Sequence, residues 1–148
     1  MLSSTIAACA PKGAAPSALT ERSPAGLEQV TLDIRSGLKT DRFIVEVARS
    51  DAEQQTGLMD RPSLGPDRGM IFPYEPPQPV AFWMKNTLIP LDMIFIRADG
   101  TIARIVTAVP LSLEPVPGGE PIALVLEIRG GRAGALGIRT GDRVDWPH

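Results

Sequence analysis

The sequence predicts a mainly β fold, a compact barrel-like or sandwich domain of about seven or eight strands with two short helices. From Val30 onward, apolar residues recur mostly with a period of two, as half-buried strands require. Turn-forming Gly, Pro, Asn, Asp and Ser separate these runs at spacings of roughly 8 to 12 residues. No long helical stretches alternate with the strands, which argues against a doubly wound parallel sheet.

Taken in order, residues 1–27 are mostly Ala, Ser, Thr, Pro and Gly with isolated Leu2, Ile6 and Leu19, and read as a flexible tether. Residues 28–148 read as one β-rich domain. Val30, Leu32 and Ile34 share one face of a first strand, and Phe43, Val45 and Val47 one face of a second; the turn formers Ser36 to Asp41 join them as a hairpin. Ser50 and Glu53 have capping-box spacing, which starts a short helix over 51–56 that Gly57 ends. Between Asp60 and Pro79, prolines remove amide donors, leaving Gly69 to Phe72 as the one strand expected and Pro73 to Pro79 as a stiff surface loop. Val80 to Met84 follows as a strand. Leu91 to Ala98 and Thr101 to Val109 form a hairpin across Asp99-Gly100, expected as a type I′ turn. After the Pro- and Gly-rich connection 110–121, Ala123 to Ile128 reads as a strand deep in the sheet. A helical turn at 132–136, a stop at Gly137 and a strand at 143–146 complete the chain.

The 148 residues fit one domain, and 43% apolar with 22% charged content suits a packed fold. Lys and Arg total 15 against 17 Asp and Glu, a net charge of -2, so no positive field favours a nucleic-acid partner. The single Cys, Cys9, and single His, His148, lie near the two ends. This excludes Ser-His-Asp and Cys-His catalysis, a paired-thiol redox centre, and zinc sites built on Cys or His within one chain. No metal or cofactor is expected. Carboxylates, Lys, Tyr, hydroxyls and amides remain as the available chemistry.

Ile6-Ala7-Ala8-Cys9 has the pattern of a lipobox, in which the thiol receives lipid, although only eight residues precede it, fewer than a full secretory signal. A lipidated Cys9 would hang the domain on a membrane by a tether of roughly 18 residues, placing it in the periplasm or at the cell envelope. An ordinary cysteine in a polar tail is the alternative. No stretch of about 18 consecutive apolar residues could span a bilayer.

The run Phe82-Trp83-Met84-Lys85-Asn86-Thr87-Leu88-Ile89-Pro90-Leu91-Asp92 with Phe95 resembles the FWMKNT-x-IPLD-x-x-F signature of the family called domain of unknown function 192. Gly57-Leu58-Met59 with Arg61, Gly69 to Phe72, Leu126-Glu127 and Gly137 to Val144 resemble its other blocks in the same order. The resemblance runs from about Val30 to Trp146 and implies a small β-rich fold, often exported or envelope-tethered, with no established activity.

Read as a strand, Phe82 to Thr87 places Phe82, Met84 and Asn86 on one face and Trp83, Lys85 and Thr87 on the other. Trp83 could stack on a sugar or aromatic ligand while Lys85 pairs with an anionic group; a Trp capping the core beside a solvated Lys is the competing reading. Asp92, flanked by Leu91 and Met93, needs a partner if buried, and Lys85, Asn86 and Thr87 are within sequence reach. The group can act as a clamp on the 86–90 loop or as a polar site beside Trp83. Glu127 is the second carboxylate in an apolar run, with Arg61 or Lys85 as expected partner. The candidate binding residues are therefore Arg61, Trp83, Lys85, Asn86, Thr87, Asp92 and Glu127, with a small-molecule or glycan-like ligand. Two alternatives stand beside a binding module: a glycan hydrolase using Asp92 and Glu127 as acid and base, which requires both on one cleft, and a purely structural or interaction domain. The Gly-x-x-x-Gly-Asp turn of 137–142 and the C-terminal arginines read as structural.

Overall fold

A computed structural model of the chain describes residues 13–148. Within them, β1 (Gln29–Ser36) and β2 (Lys39–Val47) form the first hairpin, followed by α1 (Asp51–Thr56) and β3 (Arg68–Gln78). Then come β4 (Ala81–Phe82), β5 (Leu91–Ile96), β6 (Ile102–Ala108), β7 (Val116–Pro117) and β8 (Ile122–Arg129). α2 (Arg132–Leu136) and β9 (Arg143–Asp145) end the fold. The seven long-range strands order as β6-β5-β8-β3-β2-β1-β9, with β4 and β7 as a separate two-stranded sheet. Every pairing is antiparallel except β2 with β3, the pair that α1 connects. The fold is mainly β and sandwich-like, and its main sheet stops short of a closed barrel. Its edges β9 and β6 meet only through the isolated bridge Thr101↔Arg143 and hydrogen bonds such as Ile102 N to the Asp142 carbonyl, 2.8 Å.

The central strands carry apolar side chains on both faces, so two cores form. On β5, Ile94 and Ile96 enter the cluster that β1, β2 and β9 close through Leu32, Phe43, Val45 and Val144, with Trp146 against it. Met93 and Phe95 enter the opposite cluster with Met70, Phe72, Met84 and Val125, closed by Leu58 and Leu64. The alternation is the period of two of a pleated strand.

Most local signals fold as expected. Ser50 Oγ accepts from Glu53 N while Glu53 Oε2 accepts from Ser50 N, and the helix ends at Gly57 with φ 47°. β8 pairs on both sides, with β3 and β5. Four expectations need correction. The prolines after Phe72 do not end β3, which runs on to Gln78: ladder pairing with β8 lapses between Pro73 and Gln78, so the missing amides break no central ladder. The strand expected over 80–84 shortens to Ala81–Phe82, because its partner is the two-residue β7. Asp99-Gly100 is no type I′ turn: Gly100 N donates to the Arg97 carbonyl and Gly100 alone has positive φ, 87°, as in a type I turn completed by a left-handed glycine. From Ser17 on, the expected tether is instead bonded to β1: Ala18 bridges Val30, Leu19 N donates to the Gln29 carbonyl at 2.9 Å, and Ser23 is buried. β9 covers only the 33–35 half of β1, so the other half of that edge is free to take residues 17–19. Cys9 lies outside the described residues.

Candidate functional site

β8 carries Val125 and Glu127 on the face opposite Leu126 and Ile128. In register, Glu127 lies between Met70 of β3 and Met93 of β5, so its cross-strand neighbours offer no counter-charge. The residue is 4% exposed, and what remains of its exposure opens on a cleft of about 330 Å³. Phe72, Tyr74, Phe82, Trp83 and Thr87 form the walls with it, and α1 supplies Asp51, Gln54 and Gln55 along one side. Among the described residues Glu127 makes no salt bridge, and burial alone raises its carboxyl to about 8. Tyr74 beside it is raised to about 12, first by burial and then by the Glu127 charge.

The cleft is shaped by aromatic packing. Phe82 stands edge-on to Phe72 at 4.9 Å and to Phe95 at 6.3 Å, fixing the short β4 over the second core. β4 then ends, and the chain turns with Thr87 N donating to the Met84 carbonyl and Asn86 at φ 55°. This turn brings Thr87 inside, whereas continuous alternation would have placed Asn86 there. Trp83 stays 49% exposed at the rim, with the Lys85 ammonium over its ring, 5.2 Å from the centroid. α1 is held against β3 by Gln54, whose amide donates to the Ala48 and Pro73 carbonyls.

The expected convergence of Lys85, Asn86 and Asp92 does not form. Asp92 is 1% exposed on the other face of β5, with Ile94 and Ile96. Its carboxylate accepts from Thr107 Oγ1 at 2.6 Å, Gly131 N at 3.0 Å and Ala133 N at 2.9 Å. Gly131 precedes α2 with no side chain to cap it, and Asp92 supplies that cap from the neighbouring strand. Thr87 Oγ1 donates to the Lys85 carbonyl, and the Asn86 carbonyl accepts from Asp60 N. Arg61 is not the partner of Glu127: its guanidinium takes Glu46 in a forked pair at 2.5 and 3.2 Å. Asp92 and Glu127 thus lie on opposite faces of one sheet, which removes the acid-base pair on a common cleft. Of the expected residues, the structure brings together Trp83, Thr87 and Glu127, with Lys85 above the Trp83 ring.

Tyr74, Phe72 and the α1 side chains were not singled out by sequence. The signal for Tyr74 was its spacing of two from Phe72, hidden by reading the prolines as a loop. A larger groove of about 580 Å³ lies near Arg97, Arg143 and Trp146. Its cations are engaged: Arg97 pairs with Glu120, Arg49 with Glu28, and Arg143 donates to the Asp99 carbonyl. The C-terminal turn is structural as expected, with Asp142 Oδ2 accepting from Arg139 N and Ser36 Oγ.

The family model DUF192, described as "Uncharacterized ACR", matches residues 32–146. The crystal structure of a protein of unknown function from Novosphingobium aromaticivorans DSM 12444 is 43% identical, with a TM-score of 0.82 over 90% of this chain and 94% of that one. A candidate transcription regulator from Sinorhizobium meliloti 1021 is 39% identical, with a TM-score of 0.78 over 80% of this chain and 94% of that one. No curated protein matches the chain.

Proposed function

This chain belongs to the DUF192 family, and from its cleft we propose that it is a binding module for a small, ring-bearing ligand of glycan-like size. One observation carries the reading: the buried Glu127 carboxylate, with no ionic partner among the described residues, opens on an aromatic-walled cleft. Buried carboxylates are ordinarily paired, so a polar group held open toward solvent-filled space is costly to the fold and useful to a ligand. The volume is in the range of small-ligand sites, and the half-exposed Trp83 ring offers a stacking face at the entrance. A nucleic-acid role, suggested by the name of the Sinorhizobium neighbour, fits poorly with a net charge of -2. The helices among the described residues, of 6 and 5 residues, are also short for reading a major groove.

The test is a thermal-shift and calorimetric screen of mono- and disaccharides and small ring-bearing metabolites against wild type and Trp83→Ala. At least one compound is expected to raise the melting temperature of wild type, with affinity about tenfold weaker in Trp83→Ala. A screen in which no compound binds, or in which loss of the ring changes nothing, overturns the reading in favour of a purely architectural domain. The same proposal places the domain at the cell envelope, supported by the Ile6-Ala7-Ala8-Cys9 run. Metabolic labelling with an alkyne fatty acid should mark wild type and fail on Cys9→Ser; equal labelling of both removes the anchor.

A further inference from the structure

The geometry points to a ligand class for this cleft: a primary alkylammonium carrying an aromatic or aliphatic ring, its nitrogen seated on the Glu127 carboxyl and its ring against the walls formed by Phe82 and Trp83. This inference rests on the reading of the cleft as a binding site. Charge is the first argument. The ionisable side chains lining the cleft are Asp51, Tyr74 and Glu127, with no Lys, Arg or His among the described lining residues. The second is donor supply. The Thr87 hydroxyl donates to the Lys85 carbonyl and the Gln54 amide to the Ala48 and Pro73 carbonyls, so these two donors are committed elsewhere, and the other polar groups of the lining, Gln55, Thr56 and the Tyr74 hydroxyl, bring no positive charge. The register partners of Glu127 on both sides are methionines. Once ionised, the carboxyl accepts and does not donate, so the group that draws off its proton and completes it must bring donors and positive charge, which an ammonium does with three N–H bonds. The third is the ring at the entrance. Trp83 is half-exposed with the Lys85 ammonium against its face, and the same ring offers the ligand's ring a stacking surface at the entrance.

Burial adds a measurable consequence. Of the groups facing Glu127, Tyr74 on β3 and Asp51 on α1 carry no positive charge, so the carboxyl stays protonated up to about 8. An ammonium ligand favours the ionised form, and binding below that pH transfers the Glu127 proton to solvent.

The experiment compares 2-phenylethylammonium with its uncharged counterpart 2-phenylethanol by calorimetry, in buffers of different ionisation enthalpy. Wild type should bind the amine at least about tenfold more tightly than the alcohol, and Glu127→Gln should abolish that preference. Binding of the amine should release close to one proton at about pH 6 and almost none at about pH 9. Lys85→Ala provides a second variant that leaves the buried carboxylate in place. It should tighten amine binding by removing a like charge from the cleft entrance. Equal affinity for amine and alcohol, or a preference that survives Glu127→Gln, overturns the ammonium assignment while the cleft stands as a binding site. Amine binding unchanged or weakened in Lys85→Ala, or without proton release at the lower pH, also overturns it. If neither probe binds but a saccharide does, the ligand class is wrong and the binding module survives. If nothing binds, both fall.

Discussion

At the scale of single residues, two buried carboxylates show how the same chemistry takes opposite roles. Asp92 accepts three hydrogen bonds and is fully used by the fold. Glu127, between Met70 and Met93, has burial as the cause of its raised carboxyl and no charge partner among the described residues. That difference makes Glu127 a source of pH-dependent stability. Its folded-state value, about 8, lies above the ordinary 4.5, so the folded protein binds more protons than the unfolded chain between these values. The stabilisation is fully present below about pH 4.5 and declines as pH rises through 8, by on the order of 3 to 5 kcal/mol in total. Glu127→Gln, which cannot ionise, should match wild type in urea unfolding near pH 4 and exceed it near pH 9. A difference between the two proteins that is independent of pH would contradict this account of the carboxyl.

At the scale of elements, α2 depends on a strand that is remote in sequence. The helix has only five residues and Gly131 as its N-cap, so local propensity alone would not hold it. β5 aligns Asp92 with Ile128 of β8, and from there the carboxylate reaches Gly131 N and Ala133 N. Asp92→Ala should therefore destabilise the protein by roughly 2 to 4 kcal/mol, from two orphaned amides and a broken cap. Asp92→Asn, which keeps one acceptor oxygen, should lose less. Because Asp92 faces away from the cleft, Asp92→Asn should bind cleft ligands with unchanged affinity, a comparison that calorimetry on the folded variant settles. The capping box of α1 was legible because Ser50 and Glu53 act within one turn, whereas the α2 cap was not, because its parts lie about 40 residues apart. Similarly, Phe82 to Thr87 looked like one alternating strand, but β7 offers β4 only two residues of pairing. The turn that follows buries Thr87 and leaves Lys85 over Trp83.

At the scale of the molecule, β3, β5 and β8 contribute to both cores: Ile71 and Phe72, Ile94 and Phe95, and Leu126 and Val125 face opposite ways from adjacent positions. Neither core can lose its packing while the shared strands stay intact, so one cooperative transition is expected. The two tryptophans report on it separately. Trp146 packs against the core enclosed by β1, β2 and β9, and Trp83 lines the cleft on the opposite side. In Trp83→Phe and Trp146→Phe, fluorescence unfolding curves should each coincide with the circular-dichroism transition of the same variant. Separate midpoints for the two optical probes would show that the cores unfold independently. The sheet also explains why an acid-base pair of Asp92 and Glu127 was attractive in sequence and absent in space. Both lie in apolar runs, yet the alternation and register of β5 against β8 set them on opposite faces.

The sequence by itself determined the β class, the hairpins, the capping box, the family and the burial of Glu127, because each depends on neighbours within a few positions or on a continuous motif. Tertiary structure alone decided which carboxylate would be satisfied. Strand register and the ending of β4 bring distant atoms together, and these follow from the packing of whole strands. That is why Asp92 found the amides of α2, Arg61 found Glu46, and Glu127 was left facing the cleft.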